Sequence, residues 1–130
     1  MKYRFNETRP ADYQALAQRC NMKVSAKSSN LVMRNSLFTV GIYDGEELEA
    51  FGRVCGDGTR CFVVCDVMAD EKHAADHLVH KILKEIDDYL RETINRESQV
   101  LIHLSRQYAE VCRLYGYKFL DEDYEVVMKK

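Results

Sequence analysis

The sequence predicts an α/β (α+β) protein built on a mixed, mostly antiparallel central sheet with helices on both faces. Three observations carry this. CFVVCDVM, residues 61–68, is a nearly continuous apolar run of strand length whose one charge is Asp66, the pattern of a central strand covered on both sides. From His73 the spacing changes, and Ala75, Leu78, Val79, Ile82, Ile86 and Leu90 recur at intervals of three and four, the stripe of an amphipathic helix. Ahead of both, Asp44-Gly45 and Gly56-Asp57-Gly58 separate three strand-length runs, which therefore join by tight turns as an antiparallel meander.

Taken in order, Tyr3 and Phe5 alternate with Lys2, Arg4 and Asn6, a short first strand with one buried face. Thr8 and Pro10 suit a helix start, and Tyr13, Leu16, Ala17 and Cys20 supply its apolar stripe. Asn21 to Ser36 is rich in serine and asparagine, which compete for backbone hydrogen bonds, so this stretch is expected to be mobile with a short helix over Leu31 to Arg34. Leu37 to Tyr43 and Glu47 to Cys55 form a hairpin. After the long helix, Val100 to Leu104 is a short strand, and the strand, helix, strand order favours a parallel neighbour for residues 61–68. The two strands are expected to part beside Val100 to Leu104 and leave a cleft. Tyr108, Val111, Cys112 and Tyr115 return to helical spacing, with Gly116 at the C-cap position. Tyr117 to Leu120 and Tyr124 to Met128, around the acidic turn Asp121 to Asp123, are expected to close the chain as a hairpin. The 130 residues fit one domain, 1–130.

Composition narrows the function classes. A net charge of -2 without a long block of one sign gives no electrostatic case for nucleic acid or an anionic membrane, and no apolar run reaches membrane-spanning length. The five cysteines, at 20, 55, 61, 65 and 112, lack C-x-x-C spacing and read as reduced core thiols. With no leader pattern, a cytoplasmic location is expected, as a monomer or homodimer. His73, His77 and His80 are spaced to share a helix face, but nothing near them completes a metal site and His103 stands alone, so no metal is expected.

The stretch SLFTVGIYDGEELEAFGRVCGDGTRCFVVCDVMA, residues 36–69, with RPADYQAL near the N-terminus and RLYGYKF at 113–119, resembles the GNAT N-acetyltransferases, in particular their small single-domain members. The likeness covers nearly the whole chain. It implies the acyl-CoA N-acyltransferase fold and transfer of an acetyl group from acetyl-CoA to an amine of a small molecule or peptide. Val67 and Met68 would present backbone to the pantetheine. The family's diphosphate loop, R/Q-x-x-G-x-G/A, falls on Ala74, Ala75, Asp76, His77, Leu78 and Val79. Here Ala74 replaces the polar first residue, His77 and Val79 replace small ones, and Asp76 adds a carboxylate, so weak acetyl-CoA binding is expected. Cys112 stands where many members place a tyrosine as general acid. Asp66 and Glu47 are candidate bases, Asp66 reading first as a structural acid at the strand's end and Glu49 offering a carboxylate on the same strand as Glu47. The alternative is a non-catalytic interaction or regulatory module that keeps the fold and has lost acetyl-CoA.

Overall fold

In the computed structural model, which describes all 130 residues, five strands lie side by side in chain order. They are β1 (Lys2–Phe5), β2 (Phe38–Asp44), β3 (Glu47–Gly56), β4 (Cys61–Ala69) and β5 (Gln99–Leu104). β1 to β4 pair antiparallel, and β5 joins β4 parallel by way of a crossover helix. The helices are α1 (Pro10–Arg19), α2 (Ala26–Asn35), α3 (Ala75–Thr93) and α4 (Ala109–Arg113), the last preceded by a 3-10 turn over Arg106–Tyr108.

The alternation of each strand divides the core in two. Tyr13, Leu16 and Ala17 of α1 pack on Tyr43, Leu48, Phe51 and Met68. On the opposite face Leu78, Val79, Ile82, Leu83, Ile86 and Leu90 of α3 cover Val40, Ile42, Val54, Phe62, Val64 and Val67. Each such side chain contributes about 1.5–3 kcal/mol on burial, so the α3 stripe is a principal source of stability. Gly52 allows the close approach, because a Cβ there would lie 2.5 Å from Ile82 Cγ2. The β2–β3 turn closes on Gly45, whose φ of 62° suits a glycine. No helix is long and apolar enough to cross a membrane.

Two expectations give way, and a third holds in part. The serine-rich stretch forms a full helix over Ala26–Asn35, because its serines satisfy the helix ends: Ser25 Oγ accepts from the Ser28 amide at 3.0 Å, and Ser36 Oγ donates to the Val32 carbonyl at 2.7 Å. Residues 117–130 form no hairpin. They hold one turn at Asp121–Glu125, and Phe119, Tyr124, Val126 and Met128 are exposed, as follows for strands without a sheet to dock on. Finally, β4 and β5 keep register from Cys61↔Gln99 to Val64↔Ile102 and then lose it: Cys65, Asp66 and His103 have no partner in the ladder, and the strands meet again at Val67↔Leu104. The break coincides with a bulge between Val64 and Val67, where Asp66 adopts a φ of 51°. The expected opening is therefore confined to this break and to the strand end, where β4 runs on through Met68 and Ala69 with β3 as its only neighbour.

Candidate active site

β4 ends against the start of α3, and the loop between them, residues 70–74, decides what this edge offers. Ala74 takes the N-cap position without a side-chain cap, and the first amide bond of the helix runs from Leu78 to the Ala74 carbonyl. The amides of Ala75, Asp76 and His77 therefore face outward without intrahelical partners, at the positive end of a 19-residue helix. Ala74, Asp76 and His77 are exposed and Ala75 is half-buried. Leu78 and Val79 point the other way, into the α3 core, so the bulk of Val79 does not stand over these amides. Val67 and Met68 are buried in the strand that leads here.

Asp66 sits back from this end, inside the bulge. Its Oδ2 accepts the Tyr13 hydroxyl at 2.8 Å and the Arg53 Nε at 2.8 Å, and Arg53 reaches on to Ser36. Burial, then the bond to Asp66, pushes the Tyr13 hydroxyl well above the usual tyrosine range. The carboxylate ties α1, β3 and β4 together, which is the structural one of its two readings.

Past Ala69 lies a cluster that local pattern did not reveal. Arg19 Nε pairs with Asp70 Oδ2 at 2.7 Å, and Lys72 Nζ bridges Glu47 at 2.8 Å and Glu49 Oε1 at 3.3 Å. Glu47 is exposed, and the Lys72 hydrogen bond holds its carboxyl below the ordinary glutamate range, which makes it a poor base. Glu49 is almost wholly buried. His73 lies in the loop rather than on α3 and turns toward Glu49, while His80 meets the Tyr115 hydroxyl through Nδ1 at 2.6 Å. The three histidines therefore share no face.

Cys112 is buried in the α3 core, and burial pushes its thiol up. Tyr108, one helical turn earlier, belongs to the same cluster. It is buried where β5 gives way to α4, and its hydroxyl is raised by burial first and then by the carboxylate of Asp76, the Cys20 thiol and Glu71, groups that ring the start of α3. All five cysteines are free, with Cys61 exposed and the Cys55 and Cys65 sulfurs 3.7 Å apart. Two surface clefts flank the site. One of about 400 Å³ lies between α1 and the β2–β3 turn, lined by Asp12, Arg19, Asp44 and Glu47 among others, and one of about 620 Å³ follows α1 into the α1–α2 loop. Neither takes in the end of β4, which is an open edge.

No family model matches the sequence, and no curated protein does. Solved structures match along almost the full chain. A probable acetyltransferase from methicillin-resistant Staphylococcus aureus is 22% identical, with 99% of this chain and 98% of that chain covered at a TM-score of 0.88. A GNAT-family acetyltransferase from Streptococcus pneumoniae is 17% identical over 99% and 96%, at 0.78. A protein from Mycobacterium tuberculosis, solved in complex with CoA, is 11% identical over 93% and 74%, at 0.69. At these identities the likeness establishes the fold.

Proposed function

Starting from the GNAT acetyltransferase fold, which the chain has, we propose that it moves an acetyl group from acetyl-CoA to an amine of a small molecule or peptide, in the cytoplasm and with modest cofactor affinity. The observation that supports this is the join of β4 to α3. Met68 and Ala69 have no strand partner on the β5 side, and directly beyond them stand the uncapped amides of Ala75, Asp76 and His77. An extended pantetheine suits such a strand end, and a diphosphate suits such a helix start. The small Ala74 and Ala75 leave the backbone approachable. Asp76 and Glu71, exposed and without ion-pair partners, set the local field against an anion and account for the modest affinity.

Acetyl-CoA supplies the acyl group as a thioester with a thiol as leaving group. Tyr108, a hydroxyl protonated at neutral pH and one turn before Cys112, is the candidate to return a proton there, and burial makes it a weaker acid than an exposed tyrosine. Asp66 is spent on Tyr13 and Arg53, and Glu47 on Lys72, so the amine is deprotonated by solvent rather than by either carboxylate. Most of the rate then comes from holding amine and thioester together, worth roughly 7–11 kcal/mol at best against the 100- to 10,000-fold of a general acid.

A calorimetric and thermal-shift titration with acetyl-CoA tests this. Saturable binding with a dissociation constant on the order of 10⁻⁴ M is expected, weakening with added salt. Tyr108→Phe should lower turnover about 100-fold and leave binding unchanged. The uncompensated carboxylates of Glu71 and Asp76 favour a second reading, a non-catalytic interaction module with the same fold. Absence of any acetyl-CoA response at millimolar concentration would establish that second reading and overturn the first.

A further inference from the structure

Glu49 is 1% exposed, yet its Oε2 has no hydrogen-bond partner, and the same is true of the buried Nε2 of His73. Two orphaned polar atoms side by side are costly unless something sits between them. They are 3.4 Å apart, close enough for an ion pair when His73 is protonated but outside hydrogen-bond geometry. A tetrahedral ion with ligand bonds of about 2.0–2.1 Å holds its ligand atoms about 3.3–3.4 Å apart, so the spacing is that of one edge of a coordination tetrahedron. Asp44, exposed at the end of β2, brings a third ligand atom, and all three lie within 4.8 Å of one another. Its carboxylate is exposed and would swing inward to complete the tetrahedron, with water as a fourth ligand.

We propose that Asp44, Glu49 and His73 form a site for a divalent first-row transition cation, zinc in the first instance. An imidazole with two carboxylates selects such an ion over magnesium or calcium, which take all-oxygen sets. Lys72 does not fill the site, because its ammonium approaches the other oxygen of Glu49, Oε1, at 3.3 Å. The ligands come from the β2–β3 turn region, β3 and the β4–α3 loop, so the ion pins that loop to the sheet directly ahead of Ala74. It also places two positive charges beside the carboxylates of Asp70, Glu71 and Asp76. The consequence for acetyl-CoA rests on the proposed function; the site itself does not. His73 was read from sequence with the other histidines of α3, whereas its partners stand on separate elements that only the fold brings together.

The test is zinc titration of the intact protein in competition with a chromophoric chelator, with Co²⁺ as a spectroscopic probe. One equivalent should bind, and Co²⁺ should give intense visible bands of tetrahedral type without sulfur-to-metal charge transfer. Glu49→Gln and His73→Ala should each weaken zinc at least about 100-fold and Asp44→Asn about tenfold, while His103→Ala, on the exposed face of β5, leaves affinity unchanged. His73 is a loop residue, so its variant keeps the fold, which circular dichroism verifies. Absence of zinc binding to the unmodified protein, retention of zinc by both Glu49→Gln and His73→Ala, or a sulfur charge-transfer band pointing to Cys55 and Cys65 would each overturn the proposal. Because the readout is the metal alone, its failure is separate from any failure to bind acetyl-CoA.

Discussion

The middle and the end of β4 carry similar chemistry and are finished differently. At the bulge, Asp66 accepts from Tyr13 and Arg53, and the charge is closed within the protein. Past the strand end, Glu49 and His73 face each other at 3.4 Å through an oxygen and a nitrogen that make no hydrogen bond. Buried polar groups are nearly always paired, so the first arrangement is what a structural acid looks like and the second is what a ligand position looks like. Both involve half-buried or buried charge. What separates function from architecture here is saturation of the hydrogen bonds, not residue type.

The comparison breaks first at the bulge. Asp66→Ala removes the shared acceptor, leaves the Tyr13 hydroxyl without a partner and Arg53 with only its 3.4 Å bond to Ser36, and puts alanine at a φ of 51°. Cutting one partner from a fully buried pair costs about 3–5 kcal/mol; these side chains keep 17% and 20% exposure, so a loss of about 2–3 kcal/mol in urea unfolding is expected. Asp66→Asn, which tolerates the left-handed backbone and keeps an acceptor, should cost clearly less. Equal losses for the two variants would show that the bulge does not depend on this acceptor.

Asp70, between the two regions, responds to pH. Burial works to raise its carboxyl, but the Lys72 amide and the Arg19 guanidinium outweigh it and hold it below the usual range. A carboxyl depressed in the folded state stabilises above its unfolded pKa of about 3.9, and that contribution is lost as pH falls through the lower folded value. Asp70→Asn should therefore shift the urea midpoint downward at pH 7, with the difference from the unmodified protein shrinking as pH falls below the unfolded value of about 3.9. A difference that does not shrink with acidification would assign the effect to packing.

At the end of β4 the metal-free protein should hardly notice a change that would be serious at the bulge. Glu49→Gln alters an oxygen that makes no hydrogen bond and weakens only the 3.3 Å contact to Lys72 and the 3.4 Å contact to His73, so unfolding in the presence of a chelator should change by less than about 1 kcal/mol. A loss as large as that of Asp66→Ala would mean that Glu49 is already satisfied without a ligand.

Much of this architecture was legible in the sequence because it is local. The apolar run at 61–68, the three-and-four spacing of α3, and Asp44-Gly45 each name their element without reference to the rest of the chain, and the quoted stretches at 36–69 and 113–119 named the fold. What failed depended on partners elsewhere. The 26–35 helix needed its serines to act as caps rather than competitors, and the 117–130 hairpin needed a sheet edge that it does not reach. The candidate site divides the same way. The loop at 74–79 was placed by resemblance, but only the helix rotation shows that Val79 belongs to the core while Asp76 and His77 face out. Tyr108 counted as a residue one turn off the expected position until burial put it beside the start of α3. Glu49 and His73 gave no shared signal, because a carboxylate in a strand and an imidazole in a loop become a pair only when β3 and β4 fix their register.

The smallest effect expected concerns the field at the open end. Asp76 lies in the first turn of α3, where the amides of Ala75, Asp76 and His77 would meet a diphosphate, and it places a negative charge at the positive end of the helix. An exposed charge there is worth roughly 0.3–1 kcal/mol, so Asp76→Asn should tighten acetyl-CoA a few-fold. The gain should shrink as salt rises, since the Debye length falls from about 10 Å at 0.1 M to about 3 Å at 1 M. Val79 is best left in place, because its side chain fills the core and its removal would confuse affinity with stability. Zinc offers a second handle, as an ion held by Asp44, Glu49 and His73 supplies the opposite charge nearby and should narrow the difference between Asp76→Asn and the unmodified protein. Calorimetric titrations at two salt concentrations, with and without zinc, measure both. If Asp76→Asn leaves the acetyl-CoA affinity unchanged at low salt, charge is not what limits binding at this edge, and the side chain of His77 becomes the group to remove.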